Sequence, residues 1–154
     1  TNPDIIYVTA QGAQYGPSTE RGVYRSTDGG TNWERILYVN ENTGASSLSM
    51  DMTNPRILYA SMWQHRRYPW TMESGGKDSG LYKSTDGGAS WAELKTDLPK
   101  GEKGRIAVRV SPANPAFVYT VIESDSTALY KSTDKGKSWK MFNKKSLNPL
   151  LKLL

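Results

Sequence analysis

The sequence predicts an all-β fold: a β-propeller segment of three four-stranded antiparallel blades, the first lacking its inner strand, left as an open wedge or completed by oligomerisation. Three observations predict it. An octapeptide frame, S-T-D-x-G-x-x-W, occurs at residues 26–33, 84–91 and 132–139. A second frame, N-P-x-x-x-Y, opens at Asn2, Asn54 and Asn114, each time ahead of the first. The 154 residues hold 14 Gly, 8 Pro, 9 Tyr, 5 Trp and 2 Phe, turn formers mixed with β-favouring aromatics.

Aligned on both frames, the chain divides into units of strands A to D. Unit one starts at B, residues 5–9, followed by C at 23–26 and D at 32–38; no strand A precedes it. Unit two is complete, with A at 46–51, B at 57–63, C at 80–84 and D at 90–94. Unit three repeats it at 105–110, 117–123, 129–132 and 138–142. Successive octapeptides lie 58 and 48 residues apart, a spacing that suits four short strands per propeller blade. The expected blades are about 1–40, 45–98 and 104–143 within a segment 1–145, with 146–154 as a tail or the start of a next blade. No segment before residue 140 sustains a 3.6-residue period, which excludes helical solenoids; a β-sandwich with coincidental repeats is the alternative.

Each octapeptide reads as a tight reversal between C and D. Gly30, Gly88 and Gly136 supply a positive φ, and Asp28, Asp86 and Asp134 accept the turn's own amides. Ser26, Ser84 and Ser132 open the turns, while Trp33, Trp91 and Trp139 begin the next strand and cover the hairpin. Three equivalent aspartates cannot share one active site, and one carboxylate per turn is too few for calcium, so the expectation is structural, with no metal.

These octapeptides resemble the Asp-box, or bacterial neuraminidase, repeats of sialidases, other glycoside hydrolases and sortilin-type receptors. The wording RSTDGG and KSTDGG together with the N-P frame is similar to bacterial exo-proteins described as glycosyl-hydrolase-like or sortilin-like. The resemblance covers residues 2–145 and implies a secreted or periplasmic propeller. Because Asp boxes serve hydrolases and binding proteins alike, it leaves enzymatic activity open. Sialidase catalysis needs an arginine cluster, a tyrosine–glutamate pair and an acid aspartate, none of which can be placed; where sialidases read Arg-Ile-Pro, Arg105-Ile106 continues to Ala107.

In a propeller the A–B and C–D turns share one rim and the B–C and D–A loops the other. The B–C intervals are unequal, residues 10–21, 64–79 and 124–127, as ligand-facing loops are. The richest combines aromatic Trp63, Tyr68 and Trp70, cationic Arg66 and Arg67, acidic Glu73 and Asp78, and Gly75 and Gly76. That set suits stacking on a sugar ring while clamping an anionic group, and equally a protein interface, or a loop merely pinned by its tryptophans. Tyr15 and Glu20 of the first loop are secondary candidates. A glycosidase needs two suitably spaced carboxyls, for which Glu20, Glu73, Asp78, Glu123 and Asp125 stand on the right rim without a distance fixed between them. A Ser-His-Asp triad on His65 has no supporting motif.

Composition removes other classes. Zero Cys and one His exclude disulfides, thiolate zinc sites, cysteine nucleophiles and multi-histidine metal centres, and no cofactor is expected. The longest apolar runs, such as 117–122, are far too short to span a membrane as a helix. The net charge of +5 is concentrated in residues 131–152, where seven lysines face Asp134 alone; the first 130 residues carry −1. That end lacks arginines and has few aromatics, so it reads as a solvated lysine face and not a nucleic-acid site. Thr1 opens directly on strand-like sequence, the start expected of a processed chain, an excised segment or an incomplete frame. The partners expected are a glycan or protein ligand and the blades that complete the ring, from a longer chain or from a second copy. In the second case residues 150–154 would form the inner strand of the partner's first blade; in the first the tail would be disordered or helical.

Overall fold

A computed structural model of the chain describes residues 2–143. Blade one consists of β1 (Ile6–Ala10), β2 (Gly22–Ser26) and β3 (Glu34–Leu37). Blade two contains β4 (Thr43–Met50), β5 (Leu58–Tyr68), β6 (Thr71–Ser74), β7 (Gly80–Ser84) and β8 (Ala92–Glu93). Blade three contains β9 (Ile106–Val110), β10 (Val118–Ile122), β11 (Ala128–Ser132) and β12 (Lys140–Asn143). The sheets are ordered β1-β2-β3, β4-β5-β7-β8 and β12-β11-β10-β9, every pairing antiparallel, and no helix occurs among the described residues. Residues 146–154, with the expected tail strand, lie outside the described residues.

Alternation builds the blades. In β10, Val118, Thr120 and Ile122 are buried while Tyr119 and Val121 between them are only partly covered. The blades then bury these faces against each other. One apolar cluster joins Val23 and Leu37 of blade one to Ala45, Ala60 and Met62 of blade two. A larger one joins Tyr59, Leu81 and Leu98 to Ile106, Val108, Val118, Ile122, Tyr130 and Trp139 of blade three. Where the inner strands β4 and β9 meet, the serines of TGASSLSM and its neighbour β5 cap the facing backbone. Ser61 Oγ donates to Ile106 O at 2.8 Å, and Ser49 Oγ accepts Val110 N at 2.9 Å. Small polar side chains let these strands approach while giving facing peptide groups hydrogen-bond partners.

Three expectations are corrected. The B–C interval of unit two is not a loop: β5 continues to Tyr68 and pairs with β6, His65 opposite Ser74 and Arg66 opposite Glu73. Alternating Gln64, Arg66 and Tyr68 against His65 and Arg67 sustains the period of two, with Pro69 and Trp70 at the turn. The D strands start after the tryptophan, not with it, and that of blade two is only Ala92–Glu93, because the Asp-box turn occupies the residues before. The inner strand of blade two begins three residues earlier than expected, at Thr43.

A bulge recurs in the outer pairing. Val23 faces Leu37 while Tyr24 faces Arg35, leaving Ile36 as the extra residue; Leu129 faces Asn143 while Tyr130 faces Met141, leaving Phe142 extra.

Candidate functional site

Two rims form from different chemistry. On the first, each Asp box closes on itself. Asp86 Oδ1 accepts Ser90 N at 2.9 Å and the Ser84 hydroxyl at 2.7 Å, while Ser84 Oγ accepts Gly88 N at 2.8 Å. Boxes one and three repeat this with Asp28, Ser26 and Gly30 and with Asp134, Ser132 and Gly136. Hydrogen bonds from the amide and side chain of Asn32 and from the Ser26 hydroxyl lower the Asp28 carboxyl to about 2. Those from Ser90 and Ser138, aided by Ser84 and Ser132, hold Asp86 and Asp134 lower still. The N-P turns lie on this rim: the fourth box residue donates its amide to the turn of its own blade, Gly29 to Asp4 O, Gly87 to Arg56 O and Lys135 to Ala116 O. Both carboxylate oxygens of each of the three aspartates accept hydrogen bonds from within their own turn.

The other rim gathers residues 11–20, residues 38–43, the β5–β6 hairpin and residues 101–104. Arg67 N donates to Gln14 O at 2.8 Å, Ser18 N to Glu41 O at 2.9 Å and Gly76 N to Lys103 O at 3.2 Å, so loops of all three blades meet here. Beneath them Arg21 is completely buried, with no carboxylate partner among the described residues. Its Nη2 donates to Ala13 O at 2.6 Å and Gly16 O at 3.3 Å; its Nη1 donates to Asn42 O and lies 3.1 Å from His65 Nδ1. Burial lowers the Arg21 pKa; burial, then the charges of Arg21 and Arg105, lower that of His65. The imidazole, stacked 4.2 Å from the Trp63 ring, is therefore neutral at pH 7.

Beside this cluster a cavity of about 170 Å³ is lined by Asn42, Gln64, His65, Arg66, Tyr68, Glu73 and Gly75. Arg66 lies across the strand pair from Glu73 yet forms no ion pair among the described residues; its guanidinium sits 5.1 Å from the Tyr68 ring. Tyr68 stacks on Trp70 at 5.9 Å, and Trp70 is 81% exposed. A wider concavity of about 440 Å³ lies farther along, between residues 97–102 and the turn of blade three, with Asp97, Glu102 and Asp125 in its wall. No group of three carboxylate or imidazole side chains placed to hold a metal occurs among the described residues, and no helix there is long and apolar enough to cross a membrane.

Residues 24–35, the strand entering the first box and the box itself, match the BNR/Asp-box repeat. The chain is also similar in structure to a GH74 xyloglucanase from Xanthomonas campestris, with a TM-score of 0.66 and 24% identity over 91% of this chain and 19% of that one. The fold is an Asp-box propeller segment. A GH74 enzyme from Niastella koreensis gives a TM-score of 0.63 and 18% identity over 90% of this chain and 20% of that one. YCF48 from Cyanidioschyzon merolae gives 0.55 and 18% over 99% and 44%. The segment thus spans about a fifth of the GH74 chains it matches. No curated protein matches it.

Within this propeller segment the sequence candidates separate into two groups. Arg66, Tyr68, Trp70 and Glu73 come together at the hairpin, with exposed Arg67 beside them and exposed Tyr15 on the adjoining loop. Trp63 is not a platform: it is buried, donates Nε1 to Ser74 Oγ at 3.2 Å and lies under the Arg105 guanidinium. Asp78 is not free either, since it accepts Asn40 Nδ2 at 2.9 Å and its amide reaches Gln64 Oε1. Glu123 accepts Ser74 Oγ and Arg105 N, pinning the hairpin to blade three. Glu20 stays exposed at the neck of the first loop. Arg21, Asn42 and Gln64 escaped sequence reasoning: a buried arginine bonded to carbonyls leaves no pattern along the chain.

Proposed function

We infer that this propeller segment recognises a glycan on the rim built by the β5–β6 hairpin, with the loop of residues 11–20 beside it. One observation carries the reading: half-buried Tyr68 and exposed Trp70 stack beside a small polar cavity in which Arg66 has no ion-pair partner among the described residues. An aromatic face stacks on the apolar side of a sugar, while a guanidinium and the amides of Asn42 and Gln64 meet its hydroxyls or an acidic substituent. The likeness in fold to a xyloglucanase supports the choice of carbohydrate. Catalysis is not part of the reading, because Asp78 and Glu123 are engaged in holding the hairpin. A secreted or periplasmic setting is included on the resemblance alone, as are further blades from a longer chain or a second copy, since three blades do not close a ring.

A glycan array followed by titration calorimetry tests this. Trp70→Ala and Arg66→Ala should each weaken binding about tenfold with stability unchanged. A silent array, or a bound sugar indifferent to both changes, would refute it. The second reading, a peptide-binding scaffold, is favoured by one observation: among the described residues β6 pairs only with β5 and is exposed along its length, an edge to which an extended peptide can add.

A further inference from the structure

The neutral ring of His65 has its proton placed by its neighbours. Arg21 Nη1 lies 3.1 Å from His65 Nδ1, and Trp63 O lies 3.2 Å from the same nitrogen. A guanidinium only donates, so a proton on Nδ1 would set N–H against N–H, whereas a bare Nδ1 accepts from Arg21. The proton therefore sits on Nε2. One face of the ring is stacked on Trp63 and the Nδ1 edge is turned to Arg21, which leaves the Nε2–H edge as the polar part that this wall residue has to offer the 170 Å³ cavity. His65 is 4% exposed, and its Nε2 is buried with no hydrogen-bond partner among the described residues.

A second donor in the same wall is left in the same state. Arg66 Nε is buried without a partner, and its guanidinium makes no ion pair among the described residues. Gln64 adds a third, because its Oε1 accepts the Asp78 amide at 3.3 Å and leaves the NH2 as the free end. Buried donors without acceptors are uncommon and costly in a folded chain. The free ends of these three side chains all donate, the complement of a carboxylate, which only accepts. Arg21, buried behind the imidazole with no carboxylate partner among the described residues, adds positive charge at that wall. Glu73 is the acidic wall residue; it is exposed, where water and salt screen its charge, and it has acceptors for hydroxyl groups.

We propose that the cavity takes the carboxylate of an acidic sugar, a uronic acid unit of a glycan, with His65 Nε2 and Arg66 as its donors and Arg21 as the residue that positions the imidazole. The inference rests on the glycan reading of this rim and narrows it to the acid. The chain has one histidine, so nitrogen NMR of the imidazole reads its tautomer directly. At about pH 7 the free protein should show Nε2 protonated and Nδ1 bare. Sodium glucuronate or sodium galacturonate should shift the Nε2 signal and bind at least about tenfold more tightly than glucose or galactose. Arg66→Gln should remove most of that preference, with circular dichroism and tautomer unchanged. Arg21→Met, which leaves the Trp63 carbonyl as the partner of Nδ1, should move the proton to Nδ1. A proton on Nδ1 in the parent chain overturns the donor set, and an unchanged tautomer in Arg21→Met overturns the positioning role. Equal affinity for acidic and neutral sugars, or an acid preference that Arg66→Gln leaves intact, overturns the carboxylate assignment; a glycan array positive for neutral sugars would then leave the broader glycan reading standing.

Discussion

At the residue scale the box serine is more consequential than its size suggests. Ser84 Oγ is buried, receives the amides of Asp86 and Gly88 and donates to the Asp86 carboxylate, so one atom satisfies three groups. Ser84→Ala leaves the Gly88 amide buried without a partner, and the expected loss is about 1–3 kcal/mol, read as a lowered midpoint in urea. The carboxylates set a pH dependence. The folded pKa of Asp28 is lowered to about 2 from 3.8, with Asp86 and Asp134 lower, so their contribution is complete above about pH 4 and is lost as the pH falls through the folded values. Thermal unfolding followed from pH 6 to about pH 2 should show a falling melting temperature over that interval. Asp86→Asn should be less stable at pH 6 yet show a shallower acid limb; an acid limb as steep as that of the parent chain would sink the assignment.

At the scale of the element, legibility divides along the two rims. The Asp-box hairpins could be read from sequence because every function they serve lies within eight residues: a serine to receive amides, an aspartate to close the turn, a glycine at φ between +81° and +95°. The β5–β6 hairpin could not, because its register depends on partners far along the chain, such as Gln14 O for Arg67 N and Glu123 for Ser74. The period of two in Gln64–Tyr68 was present, but arginines and a histidine disguised it as loop. Trp63 and Asp78 look free in the sequence, yet Trp63 is buried and Asp78 is held by the Asn40 side chain, contacts that no local pattern announces. Gly44 belongs with these hidden contacts. A side chain there would collide with the backbone of Gln11, whose Cα would lie 2.7 Å from the new Cβ. Gly44→Ala should therefore cost about 1–3 kcal/mol and detach the first loop from β4, measured as faster proteolytic cleavage within residues 11–20; unchanged cleavage would show that the loop does not depend on this contact.

At the scale of the whole molecule, stability is graded along the row of blades. In a radial or linear array each unit is held by its neighbours, so a unit with one incomplete neighbour opens first. Among the described residues blade one has no inner strand, and none of the five residues of β1 is buried. Its apolar contact with blade two is the smaller cluster, while the larger one joins blades two and three through Tyr59, Trp139 and Val118. Tyr7 Oη and Arg25 Nη1 both donate to the Gly87 carbonyl and hold blade one in place, but such hydrogen bonds contribute about 1 kcal/mol each and do not replace missing apolar burial. Opening should therefore begin at β1 and β2 and reach β10 and β11 only with global unfolding. Native-state hydrogen exchange measures this directly. In the monomer, amides of Val8 and Val23 should exchange at least about tenfold faster than those of Val118 and Tyr130, a difference of about 1.4 kcal/mol or more in opening free energy. Equal protection of β1 and β10 in the monomer would contradict the gradient, and with it the view that each blade derives its stability from the next.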